Sequence, residues 1–247
     1  MKLGILMKQD LKNLITNPTM VLFSFVYPIS LVLLFGFLFS NLYGGKQVSS
    51  YDFYGITMIF YLVLTASTVT PTTFMEERIK RPNLRINYCP VSRVEIYLSK
   101  LLSTFIFTGS GFLLNILILH FTRITNFGKA NFPFVLLLFF VLLIFSITLG
   151  GTICVLIRNQ DLTNKIIGSV VNTLALLSGI FFPVAILGKW VDNLAELSPI
   201  KWVLNTIFEV IYDNNFQSYI IALIAPIILS ALLLFVIHKK YRPEKYI

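Results

Sequence analysis

The side chains with the most chemical potential are two adjacent glutamates, Glu76-Glu77, followed by Arg78, Lys80, Arg81, Asn83, Arg85, Tyr88 and Arg93. Paired carboxylates can act as general base and acid on water, and that chemistry draws on histidines placed nearby. The chain has two histidines, His120 and His238, both far from the glutamates in sequence. The other chemistry open to this cluster is recognition. Between Glu76 and Lys100 lie six of the twenty basic residues and three of the eleven acidic ones. Such an island either pairs with acidic groups on a soluble partner or rests on lipid headgroups as a basic anchor. The residue types suit both.

A second set of polar residues carries no charge: Thr65, Ser67, Thr68 and Thr70, then Asn115, then Asn172, Thr173 and Ser178, with Phe181 close behind. In apolar surroundings such groups line a path or hydrogen-bond between helices. Asn172 above all requires a partner, because an amide in hydrocarbon is costly to leave unpaired. Nucleotide hydrolysis is excluded for this chain as it stands. Its Gly-Lys pairs (Gly45-Lys46, Gly128-Lys129, Gly188-Lys189) belong to no G-x-x-x-x-G-K-[ST] loop.

These residues must be held by membrane-crossing elements. The chain is 247 residues long, 56% hydrophobic and 13% charged, with a mean hydropathy of +0.81. Runs free of Asp, Glu, Lys and Arg cover 13–45, 53–75, 101–122, 130–157, 166–188 and 214–238. Each meets the roughly 20 residues a helix needs to cross hydrocarbon. Backbone groups in lipid must bond within their own segment, so the expected fold is all-α. Six spans follow, at 19–42, 53–76, 97–120, 132–157, 165–182 and 217–238. The central spans read as free of Asp, Glu, Lys and Arg, which removes the usual support for a proton- or sodium-coupled carrier.

Six spans place both termini on one side. That side then carries fifteen basic residues against five, with acidic residues split six to five, so both termini are expected to be cytoplasmic. The basic excess speaks for topology and anionic headgroups, not for nucleic acid. No cleavable signal is read in Lys2 to Ile15. Leu3, Leu6, Met7, Leu11, Leu14 and Ile15 instead follow helical spacing, with Lys8, Gln9, Lys12 and Asn13 opposite. Residues 1–17 therefore predict an interfacial helix on the inner membrane face, and Asn17-Pro18 turns it into the first span.

The loops add detail. Glu76 to Lys80 predicts a continuation of the second span, Pro82–Tyr88 a short transverse helix, and Cys89-Pro90 its end. Ser92-Arg93-Val94-Glu95 has the form of a capping box. Cys89 and Cys154 fall at different depths and predict no disulfide. Residues 183–212, with Trp190 and Trp202 and the pair Ser198-Pro199, predict short external helices dipping into the outer leaflet, or an external aromatic anchor. Gly150-Gly151 and Gly109/Gly111 read as close-packing positions, and both histidines as interfacial caps.

The run Pro90-Val91-Ser92-Arg93 continuing to Ser99-Lys100, and the order Ser178-Gly179-Ile180-Phe181-Phe182-Pro183, tryptophan turn, Pro199, resemble ABC-2 type exporter permeases. Arg81-Pro82 and Ser99 depart from that pattern, which commonly has Gly-Thr and Gly there. The resemblance covers the whole chain, 1–247, as one transmembrane domain. It implies that the coupling loop, 77–95, seats a coupling helix on a cytoplasmic ABC ATPase through Glu76, Glu77, Arg78, Arg81, Asn83, Arg85, Tyr88 and Arg93. It also implies two ATPase copies, a second permease copy or a homologous permease, and a path through Thr65, Thr68, Asn172, Thr173, Ser178 and Phe181. The chain itself would need no cofactor, since ATP and Mg belong to the partner. The expected role is a multi-pass plasma-membrane subunit, not an enzyme, exporting an amphipathic or hydrophobic peptide, toxin, antibiotic or lipid-like molecule. Glu76-Glu77-x-x-x-Arg81 is also similar to the first motif of intramembrane CAAX-type proteases, so a stand-alone protease or an immunity protein is the rival reading. His120, at the far end of its span, and His238, at the end of its helix, fit that chemistry poorly.

Overall fold

A computed structural model describes residues 2–42, 48–76, 79, 91–181 and 198–242. Among these residues all regular structure is helical. Helix α1 (Lys2–Ile15) ends with Lys12 in its last turn, where a cation complements the helix dipole. Asn17 then caps α2 (Pro18–Leu38), with proline at its first position as expected for a helix start. Helix α2 widens into a π turn over Leu22–Val26. Helix α3 (Ser50–Met75) opens on a capping box in which Ser49 and Asp52 bond reciprocally.

Helix α4 (Arg93–Phe121) opens on the predicted Ser92/Glu95 capping box. Helix α5 (Phe132–Ile157) stops where Arg158 turns left-handed at φ 59°. Asn159 immediately caps α6 (Gln160–Leu177) by accepting from the Leu162 amide. Beyond it, α7 (Pro199–Phe208) runs into a second π turn, Glu209–Asp213. Helix α8 (Tyr219–Lys240) ends in His238, Lys239 and Lys240.

Among the described residues five helices are long and apolar enough to cross a membrane: α2, α3, α4, α5 with its preceding turn, and α8. Their bounds lie within a few residues of the predicted first, second, third, fourth and sixth spans. Helix α6, where the fifth span was expected, has 18 residues and carries Asp161 and Lys165 in its first turns, so it falls outside that set. It ends at Leu177, five residues before the expected 182, because Gly179 turns left-handed at φ 76°. The expectation that the second span continues through Glu76 to Lys80 is also corrected. Glu76 leaves helical geometry at ψ 133°, and α3 ends at Met75.

Helix α3 is the axis of the molecule and the most deeply buried of the five, while α2 and α8 present mostly exposed side chains. Leu33, Leu34 and Phe37 on α2, and Ile220, Ile224 and Ile228 on α8, face outward, as lipid-facing residues do. Helices α3 and α5 approach so closely that a Cβ on Gly150 would run into the Ser67 carbonyl. That is the small-residue contact that lets helices pack without a hydrophobic driving force. Gly111 plays the same part between α4 and the π turn of α2, where Asn115 Nδ2 donates to the Ser24 carbonyl at 3.1 Å.

The bundle has two distinct ends. At one end the start of α4 and the last turn of α8 meet, with Tyr97 OH 3.2 Å from His238 Nδ1 and the Phe74 ring on Tyr241. Helix α1 packs at this same end. At the other, Asp52 accepts from the Asn126 amide at 2.6 Å, and Asn131 Nδ2 donates to the Val210 carbonyl at 2.7 Å and to Asn214. Burial, with the nearby Asp52 carboxylate, holds the Tyr212 hydroxyl in its neutral form well above the ordinary tyrosine range.

Candidate functional site

The terminal end of the bundle is built around a buried ion pair. Asp10 of α1 is 6% exposed and Lys100 of α4 is 2% exposed. Lys100 Nζ lies 3.3 Å from Asp10 Oδ1 and donates to the Thr73 carbonyl of α3 at 2.7 Å. Ser99 Oγ donates to Asp10 Oδ2 at 2.8 Å, so both carboxylate oxygens are engaged. Ser103 Oγ reaches the Met7 carbonyl at 3.1 Å, and Thr73 and Thr104 hydroxyls meet at 3.3 Å. Buried charge persists when paired and further hydrogen-bonded, as it is here. Three helices are thereby pinned by one cation.

This overturns the reading that the central spans lack charged residues. Lys100 sits inside the third span, and its placement within 97–120 was the signal available, since an intramembrane lysine calls for a partner by default. Asp10 was hidden because the apolar pattern of α1 drew attention to its leucines. In the structure the turn containing Met7, Asp10 and Leu14 packs inward, and Leu14 joins Val69 and Phe107 in a small core.

A second tether lies beside the first. Asn17 Nδ2 donates to Glu76 Oε1 at 3.0 Å, fastening the α1–α2 turn to the end of α3. Of the expected coupling residues, Glu76 is half-buried in this tether and Arg93 is exposed on the first turn of α4. Glu77, Arg78, Arg81, Asn83, Arg85 and Tyr88 lie outside the described residues, as do the transverse helix, Cys89 and Trp190. The external helices expected over 183–212 are described from residue 198 onward, where α7 carries an exposed Trp202.

The expected path residues divide. Tyr61 OH of α3 donates to Asn172 Oδ1 of α6 at 2.7 Å, and the Tyr61 ring packs edge-on against Phe181 at 5.3 Å. Tyr54 OH donates to the Phe181 carbonyl at 3.0 Å, while Ser178 and Ser198 hydroxyls stand 3.3 Å apart. Asn172, Phe181 and Ser178 thus gather along one seam between α3 and the segment α6–α7, and Thr173 is exposed on α6 beside Asn172. Thr65 and Thr68 instead bond their own helix, to the carbonyls of Leu62 and Thr65. Tyr61, absent from the expected set, supplies the amide partner that Asn172 required. Asn115 belongs to a different seam, between α2 and α4.

The family model for the ABC-2 type transporter matches residues 1–212, which include α1, the ion pair, the Glu76 tether and the α3–α6 seam. The chain belongs to the ABC-2 type transporter family. It is therefore a multi-pass membrane permease of an ABC transporter, a transport subunit of a family that associates with an ABC ATPase. Compared with curated proteins, the sequence finds no match. Among the described residues nothing supports proteolysis: Asn17 donates to Glu76, and His238 lies beside the Tyr97 hydroxyl. His120 stacks on Phe132 with centroids 4.9 Å apart, toward the opposite end.

Proposed function

We propose that this permease forms the path of an ATP-driven exporter, with α6 as a sixth crossing and both termini in the cytoplasm of a plasma-membrane protein. In this reading segment 77–95 holds the coupling helix, docked on a separate ATPase that binds ATP and Mg, two copies serving two permeases. The observation that carries the reading is the pair of tethers, Asp10–Lys100–Thr73 and Asn17–Glu76, at the roots of that segment. A push delivered between Met75 and Arg93 meets α1, α3 and α4 joined as one body, so it moves helices instead of only bending a loop. The element that would respond is the α3–α6 seam, where rocking one helix past the other breaks or makes the Tyr61–Asn172 bond.

Along that seam lie an exposed amide, Asn172, an exposed hydroxyl, Thr173, and the half-buried rings of Tyr61 and Phe181, which suit an amphipathic or hydrophobic substrate such as a peptide, antibiotic or lipid-like molecule. Thr65, Thr68, Asn172, Thr173, Ser178 and Phe181 remain the proposed path residues; Asn172 and Thr173 would face their counterparts in a second permease copy, while Thr65 and Ser178 are buried behind them in this conformation. Arg78, Arg81, Arg85 and Arg93 would pair with acidic groups on the ATPase and set its orientation. The test is ATP-dependent transport in vesicles carrying permease and ATPase together. Arg81→Glu with Arg85→Glu is expected to reduce both ATPase capture and transport. Undiminished capture and transport by that double variant would refute the docking assignment.

A further inference from the structure

Behind the Tyr61–Asn172 contact, a cavity of about 530 Å³ opens between α5, α6 and α8, is roofed by α7 and is floored in part by Leu64 of α3; neither Tyr61 nor Asn172 is on its lining. Its volume lies within the roughly 300–1,000 Å³ of ordinary small-molecule sites. The inner wall is hydrocarbon, formed by buried Leu142 and Val171, with Ala222 on the α8 side. Water does not account for the space. Roughly eighteen waters at about 30 Å³ each would fill it, and each needs two to four polar partners. The hydroxyls on the lining are three, Ser146, Thr206 and Ser218, and Trp202 adds one indole N–H. Thr206 already donates to the Trp202 carbonyl at 2.9 Å, and Ser146 Oγ is buried without a partner among the described residues.

The mouth says where an occupant comes from. Val170, Ile221 and Leu229 line the cavity and are also 42%, 66% and 42% exposed on the outer surface of α6 and α8. The opening is therefore continuous with the lipid-facing flank of a membrane protein, whose only local solvent is acyl chain. Along α8 the lining runs from Ser218 to Leu229, about 16 Å at 1.5 Å per residue. That matches one leaflet of a hydrocarbon core about 30 Å thick. Trp202 stands at the Ser218 end, where an amphipathic ring marks headgroup depth. Pro226, also on the lining, has no N–H for the Ala222 carbonyl and so loosens α8 beside the cavity.

We propose that this cavity is a binding site for one acyl tail of a membrane phospholipid, taken sideways from the leaflet on the α7 side and wedged between α6 and α8. The site is separate from the Tyr61–Asn172 seam and does not depend on export or on the ATPase. With a tail in place, α7 is supported from below; with the tail withdrawn, α6 and α8 face an empty slot.

The experiment uses the full chain in phosphatidylcholine–phosphatidylglycerol vesicles containing a trace of phosphatidylglycerol with a diazirine in its acyl chain. After irradiation, adducts are mapped by mass spectrometry. Adducts are expected on the inner-wall residues Leu142, Ser146 or Val171, together with adducts on Ile228, which faces outward and reports general lipid contact. Filling the space with Ala222→Phe is expected to lower inner-wall labelling by roughly tenfold, since the core cannot hold both. Ile228 labelling should stay constant, which also shows that the variant is inserted. A second variant, Ala225→Phe, serves if the first is poorly folded. Adducts on Ile228 without any on the inner wall would overturn the proposal, as would inner-wall labelling that both filling variants leave unchanged.

Discussion

At the residue scale the decisive feature is that Lys100 has no water to turn to. Its ammonium is enclosed by Asp10, the Thr73 carbonyl and the Phe74 ring, 5.9 Å away. Removing either partner leaves the other charge buried alone, which typically costs about 3–5 kcal/mol. Replacing both by apolar groups removes the desolvation penalty as well. Asp10→Leu and Lys100→Met are therefore each expected to lower the thermal midpoint in detergent sharply, and the double variant to recover much of the loss. Additive losses in this cycle would show that the two side chains are not coupled. The pair was legible only in part. Lys100 inside a span announces a partner, but ninety residues separate it from Asp10, and helical periodicity cannot name a contact between elements. Asn172 was a comparable case. Its need for a hydrogen bond followed from chemistry alone, while its provider, Tyr61, is one aromatic among many in α3.

At the element scale, helix starts were more readable than helix ends. Ser92 and Glu95 form their capping box as local chemistry dictates, and Asn17-Pro18 begins α2 for the same reason. The end of α3 was not readable because its cause is distant: Glu76 turns out of the helix where its carboxylate meets Asn17, across the α1–α2 turn. Helix α6 was expected on the strength of a charge-free run beginning at 166, but the helix begins at Gln160 with Asp161 and Lys165 included. Close helix contacts were legible as glycines, though not which helix each one meets. Gly150 meets Ser67, and no side chain fits there. Gly150→Ala is expected to destabilise the permease by about 1–3 kcal/mol, the usual range for overpacking. Gly168, on α6, has open space around its Cβ position, so Gly168→Ala should be neutral or slightly stabilising. Comparing the two in one thermal series separates steric contact from helix propensity, and equal effects would argue against the α3–α5 approach described here.

The whole molecule has two differently built ends. One end carries α1, the ion pair and the roots of the charged island; the other carries α7, the Asp52–Asn126 and Asn131–Val210 bonds and an exposed tryptophan. A permease coupled to a soluble motor needs this polarity, with a stiff receiving end and a pliable seam between α3 and α6. The family match accounts for the class of protein, and in the proposed function the tethers would be the route for force within it. The all-α membrane class and the positions of five of the six expected spans were visible in hydropathy because hydrocarbon imposes length and composition on a crossing helix. The contacts proposed with a partner rest on charge alone, since the sequence records which side chains could pair and not what they meet.

The most direct measurement places a photoactivatable amino acid at Arg85 in membranes containing the permease and its ATPase. Irradiation is expected to join position 85 to a chain carrying the G-x-x-x-x-G-K-[ST] loop, and the same reporter at Trp202 should give no such product. Labelling of position 85 by an impermeant reagent from outside the cell, or cross-linking to the ATPase from Trp202 but not from position 85, would contradict the account.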